Sequence, residues 1–273
     1  MHTWHWRADE GRAYLTCSLL EPWQHGFFTR QFWPDTPAEL VPVIHAEAFP
    51  YRVRQVHGNQ VLSAAEVQTH LWQKPAAELA PPAWPEADGL FSSHSQQAVW
   101  VCTADCTPIL IADQRTGHVA AVHAGWRGTA AKIVPMAVAR LLQDQGSQVS
   151  DLRVAMGPAI AGVVYQVSVE VAAQVGATVC EAWSSENLPS DAGLQHLPEL
   201  LTQGAQPAIL YDQQPGCARL DVRRVNMLQL EQLGLQPEQV AIAPYCTYQQ
   251  PQQFFSYRRD HLKQVQWSGI VSA

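Results

Sequence analysis

The chain has 273 residues, 47% of them hydrophobic, and a formal net charge of -7 from 17 Lys and Arg against 24 Asp and Glu. A chain of this size can bury a substantial core, and without clustered positive charge it lacks the footprint of a phosphate-backbone binder, so nucleic acid is not an expected partner. No window reaches the roughly 18 uninterrupted apolar residues of a membrane span, and the aromatic start, broken by Arg7, Asp9, Glu10 and Arg12, does not read as a signal peptide. A soluble, cytoplasmic protein is expected, and a monomer.

Taken in chain order, residues 73–86, with four prolines, read as a connector. Apolar runs at 98–102, 109–112 and 119–123 read as strands buried on both faces. A helix should begin just after Arg127, because Ile133, Met136, Ala137, Arg140 and Leu141 fall at helical spacing; Pro135 should kink it or mark its first turn. A further strand is expected at 152–156, then a helix capped by Ser168 and running through Val175. Residues 184–193 and 203–207 read as connectors, Asp221 should cap a helix ending near Leu233 and Gly234, and 240–243 should be a strand. No connector is long enough to divide the chain, so a single domain over 1–273 with mixed α and β content is expected.

Unusual residues gather at three probable strand ends: Gln55-Val56-His57-Gly58-Asn59, Cys102-Thr103-Ala104-Asp105-Cys106-Thr107-Pro108 and Val122-His123-Ala124-Gly125-Trp126-Arg127-Gly128. Imidazole and thiolate are preferred zinc ligands, and three protein ligands with one open position describe a catalytic site, which His57, Cys106 and His123 can supply. The same residues allow another chemistry, with Cys106 as nucleophile and His123 as its base. The plainer alternative is a buried strand-end thiol with two satisfied histidines. The six cysteines, Cys17, Cys102, Cys106, Cys180, Cys217 and Cys246, are scattered, and in a reducing compartment they are thiols.

Asp105 could orient a ligand histidine, act as general acid or base, or merely close a turn. Arg127, in Gly-Trp-Arg-Gly at a helix start, could hold an anion such as phosphate or stack on Trp126. The span Phe254-Phe255-Ser256-Tyr257-Arg258-Arg259-Asp260 could line a purine pocket with aromatic faces, though anchoring of the C-terminal strand is the preferred reading.

Six segments, Gln55-Val56-His57-Gly58, Ala87-Asp88-Gly89, Thr103-Ala104-Asp105-Cys106, Val122 to Gly128, Gly157-Pro158-Ala159-Ile160 and Phe255 to Asp260, together resemble the YfiH-like, or multicopper polyphenol oxidase (laccase-like), family. The resemblance implies an α+β fold of mixed sheets in a layered core covered by helices. It also implies zinc, with copper as the alternative, at His57, Cys106 and His123. Asp105 and Cys106 would be the catalytic residues, and Arg127, Arg258 and Asn59 would hold phosphate or substrate. The activity implied is phosphorolysis of purine nucleosides (adenosine, inosine, methylthioadenosine), with adenosine deamination. Copper-dependent polyphenol oxidation, amide hydrolysis on peptidoglycan precursors and an inactive metal-binding scaffold are the alternatives. Two departures from the family pattern concern substrate choice: Phe28-Thr29-Arg30 replaces a longer N-terminal stretch, and His261-Leu262-Lys263-Gln264 replaces Thr-Gly-Arg.

Overall fold

A computed structural model describes residues 2–72, 84–180 and 207–273. Most of the first connector (73–83), all of the second (184–193) and residues 203–206 of the third lie outside the described residues. In chain order the strands are β1 (Trp4–Asp9), β2 (Arg12–Cys17), β3 (His25–Phe28), β4 (Phe49–Tyr51), β5 (Val61–Ser63), β6 (Gly89–Phe91), β7 (Gln97–Thr103), β8 (Thr107–Asp113), β9 (Val119–Ala124), β10 (Leu152–Met156), β11 (Gln166–Ser168), β12 (Ile209–Tyr211), β13 (Cys217–Leu220), β14 (Val240–Ile242) and β15 (Gln266–Val271). They make three sheets, ordered β1-β2-β3-β15-β7-β4, β14-β10-β8-β9-β6-β5 and β11-β13-β12. The two large sheets are mixed: β4 on β7, β14 on β10 and β5 on β6 are parallel, and the other pairs antiparallel. The fold is α+β, as the sequence resemblance implied.

The two large sheets stack face to face. Leu15, Phe27, Val99, Val101 and Ile270 of one meet Leu90, Leu110, Ala112, Val119 and Ala121 of the other. The far face of the second sheet, with Ile109, Ile111, Ala120 and Val122, is covered by Ile133–Asp144 and Val222–Gln232. The far face of the first, with Phe28, Ala98 and Trp100, is covered by Pro37–Ile44. Every residue of β8 and β9 is buried, which is why both read as continuous apolar runs without a polar alternation. Each large aliphatic side chain placed this way stabilises the fold by about 1.5–3 kcal/mol, and these strands form a rigid base for the loops at their ends.

The expected strands are all present, and Ser168 and Asp221 cap their helices: Ser168 accepts from Val171 N–H, and Asp221 from Arg223 and Arg224 N–H. One expectation is corrected. The single helix after Arg127 is two, Trp126–Ala130 and Ile133–Asp144, separated at Lys132 by a left-handed residue with φ of 58°. Pro135 is the third residue of the second helix, where its missing N–H would have had no partner, so it marks a first turn. The buried stripe is Ile133, Val134, Ala137, Val138 and Leu141, while Met136 faces out.

Candidate metal centre

Three loops at neighbouring strand ends build the site. The short turn between β7 and β8 holds Asp105 and Cys106, and His123 lies next to last in β9, opposite Pro108. Thr107 faces Ala124 in this ladder, so the next pair out brings Gly125 against Cys106. A Cβ at Gly125 would stand 2.8 Å from Cys106 Sγ, and only a glycine allows that approach. His57 arrives on the segment after β4. Gln55 there prolongs the parallel pairing with β7 through its side chain: Nε2 donates to Cys102 O at 2.7 Å, and Oε1 accepts from Cys102 N–H at 2.8 Å. His57 itself takes a left-handed conformation, φ 61°, and Asp105 a positive φ of 103°. Such backbone persists in non-glycine residues only where surrounding contacts hold it.

His57, Cys106 and His123 converge, with one candidate ligand atom from each lying within 4.8 Å of the others. Their burial is graded: His57 is exposed, Cys106 half-buried and His123 buried. One carboxylate organises the set. Asp88, fully buried, accepts from Val56 N–H (3.2 Å), His57 N–H (2.9 Å), Gly58 N–H (2.6 Å) and His123 Nδ1–H (2.8 Å). Burial opposes its charge, but these hydrogen bonds prevail and hold its pKa below the ordinary aspartate value. With Nδ1 given to Asp88, His123 keeps Nε2 for a ligand, the carboxylate–histidine arrangement found behind zinc-bound imidazoles. Burial also opposes ionisation of Cys106, yet the neighbouring His123 and His57 outweigh it and push the thiol down, while the Cys106 and Asp88 charges push His123 up. The donor set therefore fits a zinc-like ion by its chemistry: two imidazoles, a thiol inclined to ionise, and a carboxylate that fixes one tautomer.

The remaining predicted residues divide. Asp105 does not orient a ligand histidine; that carboxylate is Asp88. Asp105 Oδ1 accepts from Thr247 Oγ1 at 2.7 Å and Oδ2 from Arg258 N–H at 2.7 Å, so it ties the Cys106 turn to the C-terminal segment. Burial raises its pKa against the opposing pull of those bonds. Arg258 lies over the Tyr165 ring, 4.8 Å from its centroid, and Nη1 donates to Gln166 O. Arg127 stacks on Trp126 at 4.4 Å, and among the described residues none of its donors has a hydrogen-bond partner. Asn59 spends its amide on Ala131 O at 2.9 Å, tying the His57 loop to the end of Trp126–Ala130. The anchoring expected of the C-terminal span belongs to Arg259, which donates to Thr247 O, Tyr248 O and Phe254 O.

Two residues of the site escaped the sequence reading as functional groups. Asp88 was visible only as part of an Ala-Asp-Gly segment, with nothing local to say that it faces His123. Tyr165 follows the Gly157 turn; burial, then the Cys106 charge, push its phenol up to about 12, and its hydroxyl has no partner among the described residues.

A family profile described as multi-copper polyphenol oxidoreductase laccase matches residues 39–271. A Synechocystis sp. protein named purine nucleoside phosphorylase is 48% identical over 272 residues, covering 98% of this chain and 97% of that protein. The Bacillus subtilis protein named purine nucleoside phosphorylase YlmD is 30% identical over 176 residues, 64% of this chain and 55% of its own. Among solved structures, YlmD from Geobacillus stearothermophilus is similar with a TM-score of 0.74 at 22% identity over 98% of both chains. Bacillus licheniformis hypothetical protein YfiH is similar with 0.72 at 22% identity, over 98% of this chain and 99% of that one; at such identities these likenesses show the fold. No helix among the described residues is long and apolar enough to cross a membrane. With a matching profile over most of its length, the chain belongs to the multi-copper polyphenol oxidoreductase laccase (YfiH) family, an enzyme family with relatives named purine nucleoside phosphorylase.

Proposed function

We propose that this chain is a zinc-dependent purine nucleoside phosphorylase working as a monomeric single domain in the reducing cytoplasm, where its six free cysteines would stay reduced. The observation that carries the reading is the His57, Cys106 and His123 set with, four residues after His123, the guanidinium of Arg127, which has no hydrogen-bond partner among the described residues. The name shared by the relatives supports it. His57, Cys106 and His123 would hold the ion, and when bound it supplies Lewis-acid charge at the reacting centre.

In phosphorolysis a phosphate oxygen bonds to C1′ of the nucleoside as the C1′–N9 bond breaks, and the purine leaves with a proton. Arg127 and Arg258 are the residues for a phosphate dianion, which the planar guanidinium fork binds by paired hydrogen bonds. Asp105, next to Cys106 in the chain and with its pKa raised by burial, is the candidate to supply that proton to the purine. Tyr165, whose hydroxyl has no hydrogen-bond partner among the described residues, is available to the sugar or base.

The test is chromatographic. Metal-replete protein with adenosine, inosine or methylthioadenosine and phosphate should give free base and ribose 1-phosphate or its methylthio analogue; no base from any of the three rejects the proposal. Inosine formed from adenosine in the same run measures the deaminase activity. Polyphenol oxidation has less support, since a multicopper oxidase needs several metal centres and the described residues form one such His and Cys cluster.

One observation favours a second reading. Cys106, His123 and Asp88 stand in the order of a nucleophile, its base and an orienting carboxylate, with the last pair at 2.8 Å. Read that way, the chain is a cysteine hydrolase for amide bonds, such as those of peptidoglycan precursors. Amino-acid release from a muramyl peptide by metal-free protein separates this from the first reading.

A further inference from the structure

Behind the site three polar side chains are sealed in the interior: Thr129 and Asn226, each 0% exposed, and Gln229, 2% exposed. The Thr129 hydroxyl meets the Asn226 amide at 3.3 Å to Oδ1 and 3.2 Å to Nδ2. Asn226 Nδ2 also donates to Val222 O at 2.9 Å. Gln229 Nε2 donates to Thr129 O at 3.0 Å and to Thr178 Oγ1 at 2.8 Å, while its Oε1 has no partner among the described residues. Apolar residues of similar volume would hold these helices at least as well, because buried amides must recover their desolvation through hydrogen bonds. Hydrogen bonds add direction, and they specify one placement of the elements they join.

The element so placed is the short helix Trp126–Ala130. Its Thr129 N–H donates to Gly125 O at 2.9 Å, and Gly125 is the residue pressed against Cys106 Sγ. A Cβ on Gly128 would lie 3.0 Å from Gly58 O, and Ala131 O accepts from Asn59, so the same segment also supports the His57 loop. Arg127 rides on it. We infer that Thr129, Asn226 and Gln229 are positioning residues: they fix segment 125–131 against Cys106 and the His57 loop, and thereby set the ligand geometry of the centre and the direction of Arg127. Among the described residues none of the three side chains hydrogen-bonds His57, Cys106 or His123. The inference rests on the metal-centre reading only through its zinc arm, and not on the nucleoside reaction.

Thr129→Val removes the hydroxyl at nearly constant shape, Asn226→Leu removes both amide groups, and Thr129→Ser keeps the hydroxyl. Two readouts apply: zinc affinity by chelator competition, and the rate at which a disulfide reagent modifies Cys106 in metal-free protein, read by mass spectrometry on the Cys106 peptide. Zinc should bind about 10-fold to 100-fold more weakly in Thr129→Val and Asn226→Leu, as when outer partners of a metal site are removed. Cys106, less closely covered by Gly125, should react about tenfold faster, with Thr129→Ser returning both readouts to near wild type. If Asn226→Leu does not fold, Thr129→Val decides. If the wild type takes up no zinc, the metal reading fails and the thiol rate alone decides. Variants that melt earlier yet keep both zinc affinity and thiol rate at wild-type values overturn the inference, because the network would then be structural only.

Discussion

His25 and His123 are almost equally buried, 5% and 3% exposed, and each sits in a strand of a large sheet. In His25 both nitrogens are committed to backbone: Nδ1 to Trp23 O at 2.8 Å, and Nε2 accepting from Cys17 N–H at 2.8 Å. Only the neutral ring satisfies both, and burial lowers its pKa to about 4. In His123 one nitrogen is committed, to Asp88, and the other is left beside Cys106, whose charge helps raise its pKa. Burial does not distinguish a structural histidine from a ligand. What distinguishes them is what the second nitrogen faces, a backbone N–H in His25 and the candidate ligand thiol Cys106 in His123, and whether a carboxylate stands behind the first.

The largest effect should come from removing the thiol that the second nitrogen of His123 faces. Cys106→Ala is expected to abolish zinc uptake and turnover together, measured by elemental mass spectrometry and base release; full activity in that variant rejects its role. Asp88→Asn comes next. An amide can accept with one oxygen but turns an NH2 toward N–H groups that met a carboxylate. Zinc affinity should fall about 100-fold, and stability by about 3 kcal/mol, since a buried ionic partner is lost. Wild-type zinc affinity in Asp88→Asn would mean that His123 needs no carboxylate to present Nε2.

How much of this was legible in the sequence follows from the range of each interaction. Cys106, His123 and Arg127 lie in one stretch of hairpin and helix, and His57 carried its own unusual neighbours, so chemistry-bearing types could be collected before any fold was known. Asp88 could not be joined to His123, because they lie 35 residues apart and meet only through the antiparallel pairing of β6 with β9. The N-terminal hairpin also went unread: charges at Asp9, Glu10 and Arg12 masked a two-residue turn in which Glu10 and Gly11 both have positive φ. β15, central in its sheet, reads Gln-Trp-Ser-Gly-Ile-Val, and only a glycine fits at 269 because a Cβ there would stand 2.4 Å from the Trp100 ring. Such a strand carries no alternation for a sequence pattern to detect.

His25 supplies the control for the comparison. Its folded pKa lies below the ordinary imidazole value of 6.5, so the unfolded chain binds a proton that the folded one refuses. Its contribution is complete above about pH 6.5 and is lost as pH falls toward about 4, amounting to about 3 kcal/mol at the acid end. Denaturant melts across that window measure the loss, and the His25 ring resonance should not titrate above about pH 5. A His25 midpoint near 6.5 would remove the distinction drawn between the two rings.

Arg127 should give the smallest and most discriminating effect, because it is exposed and its guanidinium has no hydrogen-bond partner among the described residues. Arg127→Ala should raise the phosphate concentration for half-maximal rate about tenfold, the worth of one charge-assisted contact, and leave zinc content unchanged. Arg127→Lys restores the charge without the planar fork, so it should recover only part of that loss if phosphate is gripped by paired hydrogen bonds. Full recovery by lysine would mean that simple charge suffices. An unchanged phosphate requirement in Arg127→Ala would mean that the guanidinium belongs to Trp126 alone and that the anion is held by Arg258 or elsewhere.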